Sequence, residues 1–135
     1  MKPAMVDSDI LSLFFRNDPH VKAHFRDYLE EYDRINISII TYYEILSGLK
    51  HRDARKQLAS FLEFARLNVV LPLSEDSTTI SAEIYAKLRK DGQLIDDIDI
   101  LIAGIAMSNK LVLVTHNENH FGRIAGLEIE DWNKE

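Results

Sequence analysis

Asp96-Asp97-Ile98-Asp99-Ile100-Leu101-Ile102-Ala103-Gly104-Ile105-Ala106-Met107-Ser108, followed after two polar residues by Leu111-Val112-Leu113-Val114, carries the reading on which the fold depends. The first part is apolar nearly all round at helical spacing, which predicts a central helix buried on most of its circumference. The second is a near-continuous apolar run, the pattern of a strand inside a parallel sheet covered on both faces. Asp96, Asp97 and Asp99 stand at the start of that helix. First-turn acids are stabilised by the helix dipole, yet three acids in four positions exceed what capping requires, and Asp99 begins a helix with almost no polar side.

The same alternation extends toward the N-terminus. Ala4-Met5-Val6 is a short apolar run that stops at Asp7, and Ser8 or Asp9 can cap a helix carrying Ile10, Leu11, Phe14 and Phe15. Asn17-Asp18-Pro19 breaks that helix and opens another with Val21, Phe25 and Leu29 on its buried side. Ile35 to Ile40 reads as a second strand, followed by a helix from about Thr41 to Leu49. Asp53 to Phe64 forms a further helix, with Leu58, Leu62 and Ala65 along one side, and Asn68 to Leu71 a third strand ended by Pro72. Ser74 caps a long helix with Glu75 and Asp76 in its first turn, Ile80, Ile84 and Leu88 on its buried side, and Gly92 just beyond its end. Leu127 to Glu130 is a last, half-exposed strand. Strands alternating with helices predict an α/β fold of three layers, α/β/α, around a mainly parallel sheet of four to five strands with right-handed crossovers.

At 135 residues the chain fits one domain, spanning 1–135, and its 46% hydrophobic and 28% charged content is that of an ordinary folded protein. Cysteine is absent, which excludes disulfides, thiolate metal sites and thiol nucleophiles. No apolar stretch reaches the roughly 18 residues needed to span a bilayer, and the opening residues turn acidic too early for a signal peptide, so a cytoplasmic protein is expected. A net charge of −6 argues against binding nucleic acid by bulk electrostatics. An anionic substrate therefore needs local help, for which His51-Arg52-Asp53-Ala54-Arg55-Lys56 and Lys87-Leu88-Arg89-Lys90 are the candidates.

In an open parallel sheet, ligands bind beyond the carboxyl ends of the strands, and the acids fall there. Asp7 follows the first strand, Glu44 lies in the first turn after the second, Asp99 precedes the fourth, and Asn117 follows it. Gathering carboxylates without a cation costs on the order of 4 kcal/mol per pair at 4 Å and an effective dielectric of 20. A divalent ion removes that cost, and an oxygen-only donor set points to Mg²⁺, with Mn²⁺ as a substitute, rather than zinc. Each residue also has a plainer use. Asp7 can end a strand and cap a helix, Glu44 completes a capping-box pattern with Thr41, and Asn117 suits a turn. Gly48, one turn from Glu44 on the same face, leaves room for a close approach.

These motifs, in this order, resemble the PIN-domain nucleases, and among them the VapC-type toxins of bacterial and archaeal toxin-antitoxin pairs. Met5-Val6-Asp7-Ser8-Asp9-Ile10-Leu11 resembles the opening strand and acid, where Asp-Thr-Asn is more usual. Ile39 to Leu49 resembles the second motif with Glu44 as its acid, and Gly92 to Ala103 the third, with Asp99 as its acid. Leu113-Val114-Thr115-His116-Asn117-Glu118-Asn119-His120-Phe121 resembles the fourth, and Gly126 to Trp132 the end of the domain. The resemblance implies Mg²⁺-dependent hydrolysis of RNA phosphodiester bonds, with Asp7, Glu44 and Asp99 as catalytic and metal-binding residues, and Asn117, Thr115, Asp97 and Ser8 as candidate additional site residues. It also implies a homodimer, a single-stranded or looped RNA substrate (tRNA, rRNA or mRNA) and a cognate VapB-type antitoxin that covers the acidic cleft. Asn117 stands where many relatives carry a fourth acid, which favours one ion over two. Asp96 and Asp97 stand where Gly and Pro are common.

The sequence admits three other readings. Met5 to Ile10 also resembles the DxD opening of haloacid-dehalogenase phosphatases, with Asp7 as covalent nucleophile and Ser38 as second motif, but no lysine fits the third. A response-regulator receiver gathers acids at strand ends and has a Thr like Thr115, but its phospho-acceptor follows the third strand, where this chain has Leu71-Pro72. A PIN-like RNA- or protein-binding module without catalysis is opposed by the intact Asp7, Glu44 and Asp99.

Overall fold

The computed structural model describes residues 1–134. In chain order its elements are β1 (Ala4–Val6), α1 (Ser8–Phe15), α2 (Pro19–Glu31), β2 (Asn36–Ser38), α3 (Ile39–His51), α4 (Arg55–Leu67), β3 (Val69–Leu71), α5 (Glu75–Lys90), α6 (Asp97–Ser108), β4 (Val112–Val114), α7 (Glu118–Phe121) and β5 (Ile129–Glu130). The five strands form one sheet in the order β3-β2-β1-β4-β5, and every pairing is parallel. From β1 the chain moves outward through β2 to β3 and then returns to place β4 on the other side of β1. The reversal makes the β1/β4 boundary the topological switch point, where an open α/β sheet leaves a crevice.

Alternation along each strand assigns the two faces. Ala4, Val6, Ile37, Val112 and Val114 pack in one core with α1 to α4. Met5 and Leu113 point the other way, into a second core with α5, α6 and Ile124. The result is the expected three-layer α/β/α arrangement, and the sheet is wholly parallel. No helix among the described residues is long and apolar enough to cross a membrane.

α6 is buried as its sequence requires, with Ile100, Ile102, Ala103, Gly104, Ile105 and Ala106 all in the interior. It packs tightly on α5, where small residues meet. A Cβ on Gly104 would lie 2.0 Å from Ser81 Oγ and 2.5 Å from the Ser77 carbonyl oxygen. Ser81 Oγ donates to the Ile100 carbonyl at 3.0 Å. α5 starts as read, with Ser74 and Ser77 exchanging reciprocal capping bonds, and it ends before Gly92, which takes φ +67°.

Three local features differ from the sequence reading. The cap of α1 is Asp7 itself, which accepts from the Ser8 N–H, not Ser8 or Asp9. β2 ends at Ser38, whose Oγ accepts from the Thr41 N–H at 3.0 Å and starts α3 two residues early. A short hydroxyl side chain that bonds the backbone locally thus overrides the strand preference of the β-branched run around it. Finally, Leu29 and Leu62 are 39% and 42% exposed, while the adjacent Tyr28 and Phe61 are 1% exposed. The aromatic neighbour one step round each helix takes the inward position, and the Tyr28 hydroxyl accepts from the Ala4 N–H at 3.0 Å, satisfying a strand donor that an aliphatic side chain could not.

Candidate functional site

The parallel register Val6↔Val114 brings the residues that follow β1 and β4 side by side, and the Asp7 N–H donates to the Val114 carbonyl at 2.8 Å. Asp7, 6% exposed, accepts from the Ser8 N–H at 2.8 Å through Oδ1 and from the Thr115 hydroxyl at 2.9 Å through Oδ2. Thr115 Oγ1 also lies 3.4 Å from Asp9 Oδ2. With one hydroxyl proton to give, it serves the nearer Asp7, and it accepts from the Asn117 N–H at 3.1 Å. Asp9 is held independently, by the Ile10 N–H at 2.7 Å and the His116 N–H at 3.0 Å, so it ties the start of α1 to the loop after β4.

Glu44 stands in the second turn of α3, because Ser38 rather than Thr41 is the cap, and it is exposed at the mouth of the crevice. The capping-box role that Thr41-Tyr42-Tyr43-Glu44 suggests is therefore not the one it plays. The Ser8 side chain hydrogen-bonds to it. Asp99 lies in the first turn of α6, whose cap is Asp96, and its Oδ2 is 2.9 Å from His120 Nδ1. The same His120 nitrogen lies 3.1 Å from Asn117 Nδ2. A single ring nitrogen cannot both donate to a carboxylate and accept from an amide, so with the proton on Nδ1 the Asn117 amide must turn its oxygen toward His120.

The fold thus brings Asp7, Ser8, Glu44, Asp99, Thr115 and Asn117 to the switch point. Asp97 is exposed at the start of α6 and engages none of them. Two members of the cluster were not identified as site residues from sequence. Asp9 stands two residues after Asp7, and His120 lies one turn beyond Asn117, within the fourth motif itself. Both are legible as spacings once the loop after β4 is known to fold back on α1.

The electrostatics are those of neighbouring acids withdrawn from water. Burial, followed by the charge of Asp9, pushes the Asp7 carboxyl up to about 7, against the lowering effect of its bonds from Ser8 and Thr115. Burial also raises Asp9. Glu44 is raised first by desolvation and then by the charges of Asp99, Asp9 and Asp96. Among the described residues no lysine or arginine forms an ion pair with Asp7, Asp9, Glu44 or Asp99. Nor do three of the His, Asp and Glu side chains converge as they stand into a group that could hold a metal ion. The donor chemistry, hard carboxylate and carbonyl oxygens with an unmet demand for positive charge, fits Mg²⁺ or Mn²⁺. Beside Glu44 a groove of about 620 Å³ opens between α1, α3 and α4, lined by residues that include Ser8, Arg16, Gly48 and Arg52.

Comparison with known proteins identifies the family. Residues 4–127 match the PIN domain family. Ribonuclease VapC1 of Haemophilus influenzae (strain R2866) is 33% identical over 132 residues, covering 96% of this chain and 98% of that protein. The tRNA(fMet)-specific endonuclease VapC of Shigella flexneri is 32% identical over 130 residues, covering 95% and 96%. The crystal structure of DNA-bound VapBC from Salmonella typhimurium superimposes with a TM-score of 0.85 at 30% identity, covering 98% of this chain and 99% of that one. These matches replace the phosphatase and receiver alternatives: the chain belongs to the PIN-domain family, in its VapC group.

Proposed function

We propose that the chain is a Mg²⁺-dependent endoribonuclease, the toxin of a toxin-antitoxin pair, acting in the cytoplasm as a homodimeric single-domain protein and held inactive by a VapB-type antitoxin. The names of the VapC relatives and the VapBC complexes support the ribonuclease and its partner. The single observation that carries the chemistry is the burial of Asp7 beside Asp9 and Glu44 with no lysine or arginine partner among the described residues, which pushes Asp7 up to about 7. A divalent cation stabilises the ionised form of such a cluster.

Asp7, Asp99 and Glu44 are the residues assigned to hold that ion. Asp7 contributes from a fixed position, because two hydrogen bonds set its rotamer. Asp99 contributes from α6, oriented by His120, and Glu44 closes the set from α3. Divalent metal in such a site stabilises charge developing on a phosphate and activates water for in-line attack. Glu44, exposed and with a raised pKa, is placed to take the proton of the attacking water. Asn117 adds an amide where a fourth acid would add charge, which favours one ion. Mn²⁺ is the expected substitute.

Purified protein incubated with structured RNA tests the reading, with Mg²⁺, with EDTA, and beside an Asp99→Asn variant. Cleavage should require the ion and fall at least 100-fold in the variant. Cleavage that survives EDTA, or that Asp99→Asn leaves intact, overturns the assignment. Expression of the parent alone should arrest growth, and expression of Asp99→Asn should not.

A further inference from the structure

The groove beside Glu44 is bipolar. Ser8 and Glu44 lie at one end of its lining and Arg16 and Arg52 also line it, with Gly48 between Glu44 and Arg52 on the same face of α3. An ideal Cβ on Gly48 would meet only Arg52 Nη1, at 3.7 Å, so the floor between the acid and the guanidinium is open. Arg52, the C-cap residue of α3, stands eight residues after Glu44, about 12 Å along the helix axis. Neither guanidinium forms an ion pair among the described residues, and Arg16 makes only a long 3.4 Å bond from Nε to the Ser12 carbonyl. Phe15, 37% exposed, borders the same space. In a chain of net charge −6, two unneutralised arginines beside an apolar ring form a local exception to the acidic surface. Arginine forks match phosphate oxygens, and an exposed aromatic ring accepts a stacked base.

We propose that this groove carries the single RNA strand flanking the scissile bond, with Arg16 and Arg52 gripping a backbone phosphate next to the one at the acids and Phe15 stacking on the adjoining base. The proposal rests on the ribonuclease reading above and adds to it the path of the substrate. Guanidinium groups left without counter-ions favour an anionic strand over the apolar or basic segment of a protein partner.

Arg16→Ala, Arg52→Ala and the double variant test it in two ways. Binding of a fluorescein-labelled single-stranded RNA is followed by anisotropy against salt, in Mg²⁺ and in an Asp7→Asn background that prevents turnover. Loss of that phosphate contact should weaken binding roughly tenfold and flatten the slope of log affinity against log salt by about 0.7. KM for the same RNA should rise in the otherwise unaltered protein, and Arg52→Lys should recover part of the affinity. Unchanged affinity and slope in the double variant overturn the proposal. So does normal RNA binding combined with lost binding of the antitoxin, which makes the groove a protein-docking site. If the parent cuts no RNA with any divalent ion, the ribonuclease reading itself fails, whereas cleavage by the parent with no effect of the arginine variants removes only the groove.

Discussion

Thr115 Oγ1 donates to Asp7 Oδ2 across 2.9 Å, and this bond spans the one boundary in the sheet where the strand order reverses. The two residues are 108 positions apart in sequence, so the most buried acid of the site is oriented by a side chain that arrives only when β4 has docked beside β1. Thr115→Val keeps the shape and removes the donor, which leaves a buried carboxylate oxygen unsatisfied. The apparent affinity for Mg²⁺, read from the ion dependence of RNA cleavage, should fall by about 10- to 100-fold, the usual effect of removing a group that orients a metal ligand. Thr115→Ser should retain most of it. An unchanged Mg²⁺ dependence in Thr115→Val would mean that the hydroxyl does not orient Asp7.

The Asp7 carboxyl also makes metal-free stability depend on pH in a direction opposite to the usual one. Its folded value is about 7, raised from 3.8. Between those values the unfolded chain has lost the proton and the folded protein still holds it, so stability falls as pH rises. The full effect is at most on the order of 4 kcal/mol and is complete once the pH has passed about 7. Thermal denaturation in EDTA should therefore give a melting temperature that declines from pH 5 to pH 8. Mg²⁺ should restore stability most at pH 8, where the ion binds an ionised cluster. Asp7→Asn should flatten the profile in EDTA while abolishing cleavage. A melting temperature that rises with pH in EDTA would contradict a buried Asp7 whose carboxyl is raised.

The layered fold is legible in the sequence, and the features that escape it share a cause. α6 and β4 were legible because burial leaves a one-sided composition: a helix without a polar face and an unbroken apolar strand. Asp7 and Asp99 stand out as candidates because each lies at an element boundary on the carboxyl side of the sheet, and Glu44 because it follows the second strand within two helical turns. What escaped was decided by single hydrogen bonds. Ser38 converted Ile39 and Ile40 from strand to helix, the Tyr28 hydroxyl drew that ring inward in place of Leu29, and Asp9 and His120 joined the site through bonds to the loop after β4. Periodicity reports which face is buried; it carries no information about which hydroxyl or imidazole meets which partner.

Moving the cap of α3 from Thr41 to Ser38 separates two roles that the sequence had merged at Glu44. Ser38→Ala should cost about 0.5–2 kcal/mol, the price of a lost N-cap, measured by urea denaturation. Glu44→Gln removes no cap and should alter stability by no more than about 0.5 kcal/mol in EDTA, yet reduce Mg²⁺-dependent RNA cleavage at least 100-fold. If Glu44→Gln instead destabilised the protein as Ser38→Ala does and still cleaved RNA, Glu44 would be a structural residue.

Gly104 links packing to the same chemistry. Its missing side chain is what allows α6 to approach α5, since a Cβ would meet the backbone oxygen of Ser77 at 2.5 Å as well as Ser81 Oγ at 2.0 Å. A serine hydroxyl can rotate away; a helix carbonyl cannot move without its helix. Gly104→Ala should therefore destabilise by roughly 1–3 kcal/mol, the range for overpacking a well-filled interior, even though alanine is intrinsically the better helix former by about 1 kcal/mol. Adding Ser81→Gly should recover only part of that loss, because the Ser77 carbonyl remains. Asp99 lies on α6 five residues before Gly104, so a helix forced outward also carries Asp99 away from His120, and RNA cleavage should fall more than the loss of folded protein explains. Comparing cleavage per folded molecule at a temperature where Gly104→Ala is fully folded isolates that effect; a normal rate there would show that α6 relaxes locally and leaves Asp99 in place.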